Sequence, residues 1–428
     1  MHIEQIISDM KVSEAQHNMV ATTYGYDHMV YVRLFEGCNL HCEHCFIPNN
    51  PKKINAEFYE NKGLTEEMLK YVNLKEGNRL YIQWHGGEPT LLGSDYLRNA
   101  IENVQADTRF KYMHGIQTNL MNFHINTEKW IDLYKTYFDG HVGISWDYSI
   151  RHTKSSSQQT EKTNAEFEEI FWNNLKLAKQ SGLELYMVIT TTKLLFKRYS
   201  KNPLELYNML LENGITKFNF ERITKTGYAR ETWEKLGLTN DEYSTYMSKF
   251  FKAYILFKEA NPEIEFNISP FDGLLRSVIG LNMNKTKKEN QADLWDFMSF
   301  KNQGYGCWSG ECDTRFHTID SNGYKHGCTA LTSEQDNKNK SLNNTVNVQK
   351  IIWIGKKDTA TSQKENILEQ RALRKETCVG CDFISICSSG CLSVEKFDES
   401  GECSGAKKLF NTMNIVVKNK LIVKTTSF

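Results

Sequence analysis

The chain has 428 residues, 40% hydrophobic and 24% charged, the composition of an ordinary globular protein long enough for two or three domains. Lys plus Arg and Asp plus Glu both total 52, so no net field draws the chain to nucleic acid or to an anionic lipid surface. The N-terminal MHIEQIISDMKVSEAQH lacks a basic-then-apolar signal pattern, and charges interrupt every apolar stretch before membrane-spanning length. A cytoplasmic protein with no nucleic-acid and no membrane partner is expected.

Residues 1–27 read as an N-terminal segment, too short for a separate peptide-recognition module. From 28 to 239 short apolar runs alternate with longer amphipathic ones. MVYVRLF (29–35), RLYIQWH (79–85), KYMHGIQT (111–118), HVGISWD (141–147), ELYMVIT (184–190) and KFNFERI (217–223) read as strands. EEMLKYVNL, DYLRNAIENV, TEKWIDLYKTYF, EFEEIFWNNLKLAKQ and NPLELYNMLLENG read as the helices between them. This alternation predicts an α/β fold of parallel strands, and a partial (β/α)6 barrel fits it better than a doubly wound sheet. In either fold the chemistry belongs at the C-terminal strand ends. Residues 240–303 read as a helical bridge, opened by the long helix EYSTYMSKFFKAYILFKEA. Residues 304–405 are loop-rich and cysteine-dense, with a polar loop at 336–348, so bound metal would supply much of their fold. A C-terminal segment, 406–428, ends the chain.

The eleven cysteines are odd in number and sit in a chain expected to be cytosolic, so they read as metal ligands or catalytic thiols. Cys38, Cys42 and Cys45 lie together; the other eight fall between Cys307 and Cys403, with none in between. Two separate metal-binding regions follow. The CxxxCxxC run comes directly after the first predicted strand. Its three thiolates can hold three irons of a [4Fe–4S] cube and leave the fourth open to bind and activate a small molecule. The competing reading is a structural zinc knuckle that recruits His41 or His44, although zinc loops usually come as two paired CxxC halves.

A CxxxCxxC motif followed by an aromatic, after the first strand of a βα barrel, resembles the radical S-adenosylmethionine superfamily. The resemblance implies that S-adenosylmethionine binds the open iron and is reductively cleaved to a 5′-deoxyadenosyl radical. It also implies cofactor contacts: Gly86, Gly87 and Glu88 of GGEP at the methionine amine, Gln117 and Asn119 at the third strand's end, and Ser145 and Asp147 of an SxD motif. Phe46 would pack near the adenine, and Arg151 would meet the carboxylate. Where relatives continue SxDG-P, this chain has Tyr148-Ser149-Ile150-Arg151.

Downstream, Cys378-x2-Cys381-x5-Cys387-x3-Cys391, then Cys403, follow a Cys312-x10-Gly323-x4-Cys328 run. This resembles the SPASM domain of peptide-modifying radical enzymes. The resemblance implies an auxiliary cluster held by Cys307, Cys312, Cys328 and Cys391, and a second held by Cys378, Cys381, Cys387 and Cys403. With the first site that makes three [4Fe–4S] clusters and employs every cysteine. Two four-cysteine zinc sites are the alternative.

By the same resemblance the substrate is a peptide, with a reductant such as flavodoxin or ferredoxin. Sulfatase-maturing relatives carry an acid directly after the cysteine equivalent to Cys328; here Thr329 stands there, and a neutral hydroxyl is a poor general base. The expectation is therefore cross-linking of a ribosomally made precursor peptide (C–C or ether, of the cyclophane or darobactin type). Formylglycine formation is the alternative activity, and a non-catalytic zinc-stabilised binding module the alternative of another class. Asp313 and Asp382 are candidate bases, Trp84 and His85 precede the GGEP turn, and Glu221 and Arg222 stand on the expected rim as site residues or as an ion pair.

Overall fold

The computed structural model describes residues 25–35, 37–46, 63–154, 156–287, 306–320, 323–332 and 359–425. The N-terminal segment up to residue 24, the later part of the bridge (288–303) and the polar loop at 336–348 lie outside the described residues.

Six strands, β1 (His28–Phe35), β2 (Arg79–Gly86), β3 (Lys111–Thr118), β4 (His141–Ser145), β5 (Glu184–Thr191) and β6 (Lys217–Arg222), pair side by side in parallel. Helices α1 (Gly63–Leu69), α2 (Ser94–Gln105), α3 (Thr127–Tyr137), α4 (Glu161–Gln180), α5 (Lys193–Tyr199) and α6 (Leu204–Glu212) connect them. Alternation along each strand decides the two faces. On β2, Leu80, Ile82 and Trp84 are fully buried toward the helices, while Tyr81, Gln83 and His85 take the other face. Register carries that second face round through Gln83↔Gly115, Gln117↔Gly143, Ser145↔Val188 and Thr190↔Glu221. Tyr31 on β1 is electrostatically coupled to Glu221 on β6. Two strands so far apart in the sheet can face each other only if it curls into the expected partial barrel.

Three strands were not predicted. β7 (Asn267–Ser269) extends the β6 edge in parallel. At the other edge β8 (Phe316–Asp320) pairs with β1 in parallel, and β9 (Gly323–His326) returns antiparallel to β8. The sheet order is β7-β6-β5-β4-β3-β2-β1-β8-β9, so the cysteine-dense region is fused to the barrel through shared backbone hydrogen bonds. In the bridge, α7 (Asn240–Ala260) leads through β7 to α8 (Phe271–Lys287). Further on come α9 (Thr359–Glu376) and α10 (Lys407–Thr425), the latter packed on α7 and α8. An edge-to-face aromatic cluster of Tyr207, Phe218, Phe220, Phe250, Phe266 and Phe271 fills the space where α6, β6, α7 and α8 meet.

Candidate cluster and cofactor site

The Cys38–Cys45 loop leaves β1 at its C-terminal end and is braced from several directions. His41 N–H donates to His152 O (2.9 Å) and Glu43 N–H to Ile150 O (3.1 Å), while Gln159 Nε2 donates to His41 O (2.9 Å). Glu43 is buried and receives Lys235 Nζ at 2.6 Å and His152 Nε2 at 3.1 Å. Gly227, with φ +54°, lies so close to the loop that a Cβ would fall 2.5 Å from the Cys45 and Phe46 carbonyl oxygens. Nothing in the local sequence marked Glu43, His152, Lys235 or Gly227, because they meet only through the tertiary fold.

The GGEP turn closes against the same loop. Gly87 N–H donates to Phe35 O (2.8 Å) and Glu88 N–H to Gly37 O (2.9 Å). A Cβ on Gly86, whose φ is +131°, would stand 2.3 Å from Phe35 O, so only glycine permits this approach. The buried Glu88 carboxylate accepts from Thr90 N and Oγ1, Thr118 Oγ1 and Asn119 N at 2.7–3.0 Å, which ties the turn to the end of β3. Burial raises its pKa, and these donors oppose the shift.

Gln117 Nε2 donates to Ser145 Oγ (2.7 Å) on the lumen face, and Asn119 Nδ2 reaches Cys38 Sγ at 3.7 Å. Phe46 packs against the His85 ring at 5.8 Å. Gly86 N–H donates to His85 Nδ1 (2.8 Å), which puts the ring proton on Nε2; burial, then the Arg33 cation, pushes the pKa down to about 4. His85 is therefore a neutral donor on the lumen face.

Asp147 lies apart from this open stripe. It is fully buried, with Arg151 Nη2 at 2.6 Å, His44 Nε2 at 3.2 Å and the Thr190 N–H at 2.5 Å. Its accepting capacity is used inside the protein, where it anchors Arg151 close to Cys42 and Cys38. Burial pushes the Cys38 thiol up to about 12 and raises Cys42 as well, so a thiolate there needs cationic partners. Arg151 is one, and bound iron would supply the rest.

The eight C-terminal cysteines form two sets. Cys307 and Cys391 share a hydrogen bond, Cys328 is electrostatically coupled to Cys391, and Cys312 and Cys328 pack on Leu331, Ile367 and Leu392. Cys378, Cys381, Cys387 and Cys403 line one small cavity with Phe383, Phe410 and Gly405. A Cβ on Gly405 would come 2.9 Å from Cys387 Sγ, so glycine keeps the cavity clear. Among the described residues no three His, Cys, Asp or Glu side chains converge as ligands of a single ion do. A four-iron cluster spreads its thiolates over separate irons and would not require that convergence on one point.

The first of these sets lies beside the inner face of the barrel, where Tyr31 is electrostatically coupled to Cys328 and Cys307, and Glu221 to Cys391. Glu221 is reachable from the lumen, yet enclosure by the walls lifts its pKa to about 7; Cys391 adds to the shift, and Asn219 Nδ2, donating at 2.9 Å, opposes it. Arg222 points the other way, to Ser404 O (3.1 Å) and Asn240 Oδ1 (2.6 Å), so the two do not form an ion pair. Asp382 is exposed, and the Asp313 side chain lies outside the described residues.

Residues 32–210 match the family model described as the Radical SAM superfamily. The chain is 23% identical over 364 residues to a cysteine-type anaerobic sulfatase-maturating enzyme of Clostridium novyi, covering 83% of this chain and 84% of that protein. An uncharacterized protein of Synechocystis, sll1766, is 22% identical over 274 residues, or 61% of this chain and 63% of its own length. Among solved structures, anSMEcpe with bound AdoMet and Cp18Cys peptide superposes with a TM-score of 0.57 at 16% identity, over 93% of this chain and 98% of that one. Residues 32–210 thus resemble a radical SAM domain, and over most of its length the chain shares the fold of the solved anSMEcpe structure.

Proposed function

We propose that the chain is a three-cluster, SPASM-type enzyme that abstracts hydrogen from a side chain of a ribosomally made peptide and cross-links it. The observation that carries this reading is the sorting of all eleven thiols into three sets, one at the barrel mouth and one beside Glu221. In this reading residues 28–239 are the catalytic barrel, 240–303 a bridge and 304–405 the auxiliary-cluster region. A [4Fe–4S] cluster with S-adenosylmethionine supplies the hydrogen-abstracting radical. The protein's own part is to hold and orient. The Gly86–Glu88 turn, Gln117, Asn119 and Ser145 present polar groups around the cofactor, Phe46 covers it, and Arg151 stands behind the thiolates. His85 offers a neutral N–H to the peptide. Forming a carbon–carbon bond to an aromatic ring removes two hydrogens overall. One leaves as an atom to the radical; for the other, Glu221 would take the proton, and a cluster held by Cys307, Cys312, Cys328 and Cys391 would supply the electron acceptor.

Iron and sulfide content of anaerobically reconstituted protein tests this. About twelve irons are expected in the wild type and about eight in Cys38→Ala/Cys42→Ala/Cys45→Ala. Zinc without iron would end the reading in favour of a binding module. Formylglycine formation stays as a second reading because the Clostridium novyi relative is a cysteine-type sulfatase-maturating enzyme. Mass spectrometry separates the two activities: carbon–carbon cross-linking removes two hydrogens alone, whereas oxidation of a cysteine to formylglycine removes two hydrogens and also exchanges sulfur for oxygen. Among the described residues no helix is long and apolar enough to cross a membrane; a cytoplasmic setting with a flavodoxin- or ferredoxin-like reductant belongs to the proposal.

A further inference from the structure

Helix α9 carries two buried arginines one turn apart, Arg371 at 3% and Arg374 at 5% exposure. Burying a guanidinium is costly unless its donors are met. Arg374 donates to Cys391 O (2.8 Å), Leu392 O (3.3 Å) and Val394 O (2.8 Å). Arg371 Nη1 donates to Gly390 O (2.6 Å), Ser389 Oγ (3.4 Å) and Ser388 O. The two thus fasten the segment that joins Cys387, of one thiol set, to Cys391, of the other.

Arg371 does something Arg374 does not. Its Nη2 donates to a sulfur, Cys312 Sγ, at 3.1 Å. Cys312 belongs to the set beside Glu221, and among the described contacts no guanidinium makes such a bond to the Cys378, Cys381, Cys387 and Cys403 set. A charge-assisted N–H···S bond favours the more negative state of a thiolate-ligated centre. Hydrogen bonds to sulfur and local charge are among the factors that set cluster potentials.

We infer that Arg371 is a positioning residue that raises the reduction potential of the auxiliary site ligated by Cys312, making that site the first acceptor of the substrate's electron. The inference rests on the cluster reading proposed above. It assigns Arg371 no contact with substrate; the residue acts through Cys312.

The test uses the full chain with the first-loop cysteines replaced by alanine, so that only the two auxiliary centres titrate. Arg371→Gln and Arg371→Lys are compared with this background by iron content and by redox titration followed by electron paramagnetic resonance. With iron unchanged, Arg371→Gln should lower the reduced-to-oxidised ratio of one centre about tenfold at the parent midpoint, ~59 mV for a one-electron couple. The other centre should move less, and Arg371→Lys should fall between. Unaltered potentials in both variants at full iron would overturn the inference. Loss of about four irons in both variants would also overturn it, assigning Arg371 to holding the Cys387–Cys391 loop alone. Absence of iron from the unsubstituted C-terminal region would instead sink the cluster reading itself.

Discussion

The barrel and the cysteine-dense region are held together by different physics. In the barrel, Trp84, Phe167, Phe171, Met187, Phe196 and Phe218 are fully buried and belong to one continuous apolar core. In the C-terminal region the local apolar cluster among the described residues is Leu331, Ile367 and Leu392, packed against two thiols. Trp308, Phe383 and Ile386 are buried there too, but they join the main core beside α10, where Phe383 stacks on Phe410 at 5.1 Å. Among the described residues the rest of the region is α9, the β8–β9 pair and loop, with the Cys387–Cys391 segment fastened by Arg371 and Arg374. Apolar burial gains roughly 25 cal/mol per Å², so the barrel can stand without metal whereas the C-terminal region lacks that support.

The largest expected effect breaks the molecule along this line. Cys387→Ala/Cys391→Ala removes one thiolate from each C-terminal set. Hydrogen exchange should then rise to near-unprotected levels over 371–406 while β2–β6 keep their protection. The converse variant, Cys38→Ala/Cys42→Ala/Cys45→Ala, should leave both regions protected, because Glu43, His152 and Lys235 hold its loop without metal. Equal protection loss in barrel and C-terminal region would mean the two are one cooperative unit.

A core truncation should show the reverse pattern. Trp84 is fully buried and donates to His114 Nδ1 at 3.2 Å. Trp84→Ala should cost about 3–5 kcal/mol of barrel stability, read by denaturant unfolding, with the iron bound by the C-terminal sets unchanged.

The same division explains what the sequence disclosed. The six barrel strands are visible because each spells its own alternation, and the observed bounds fall within a residue or two of the predicted ones. The cysteine spacings are equally local. β8 escaped notice because it pairs with β1, two thirds of the chain away; the antiparallel pair it forms with β9 carried a readable signal in FHTID-Ser-Asn-GYKH, outweighed by the cysteines around it. The motif predicts a cofactor contact for Asp147, and the structure adds what the motif does not report, that its carboxylate holds Arg151 and His44. Burial is a property of the assembled fold, so no motif reports it.

Glu221 lies where the two regions meet, and its chemistry sharpens their coupling. The carboxyl is raised to about 7, so it is mostly protonated in mild acid and cannot accept a proton there. Formation of modified peptide should therefore rise about tenfold from pH 6 to pH 8 if Glu221 is the base. Glu221→Gln should abolish that limb in a pH–rate profile. A limb that survives the substitution would move the base elsewhere.

The smallest effect concerns a signal written locally in the barrel. Thr160 caps α4: its Oγ1 accepts from Thr163 N–H (3.3 Å), and Thr163 Oγ1 accepts from Thr160 N–H (3.0 Å). Thr160→Ala removes the first bond and should cost about 1 kcal/mol in denaturant unfolding of the barrel. Because Gln159 beside it donates to His41 O, fraying of the α4 start would reach the first cysteine loop before the C-terminal sets. Hydrogen exchange should accordingly rise at 38–46 and stay constant at 371–406. If both segments respond alike, the loop is supported through the C-terminal region as well, and the separation drawn between the two halves is too sharp.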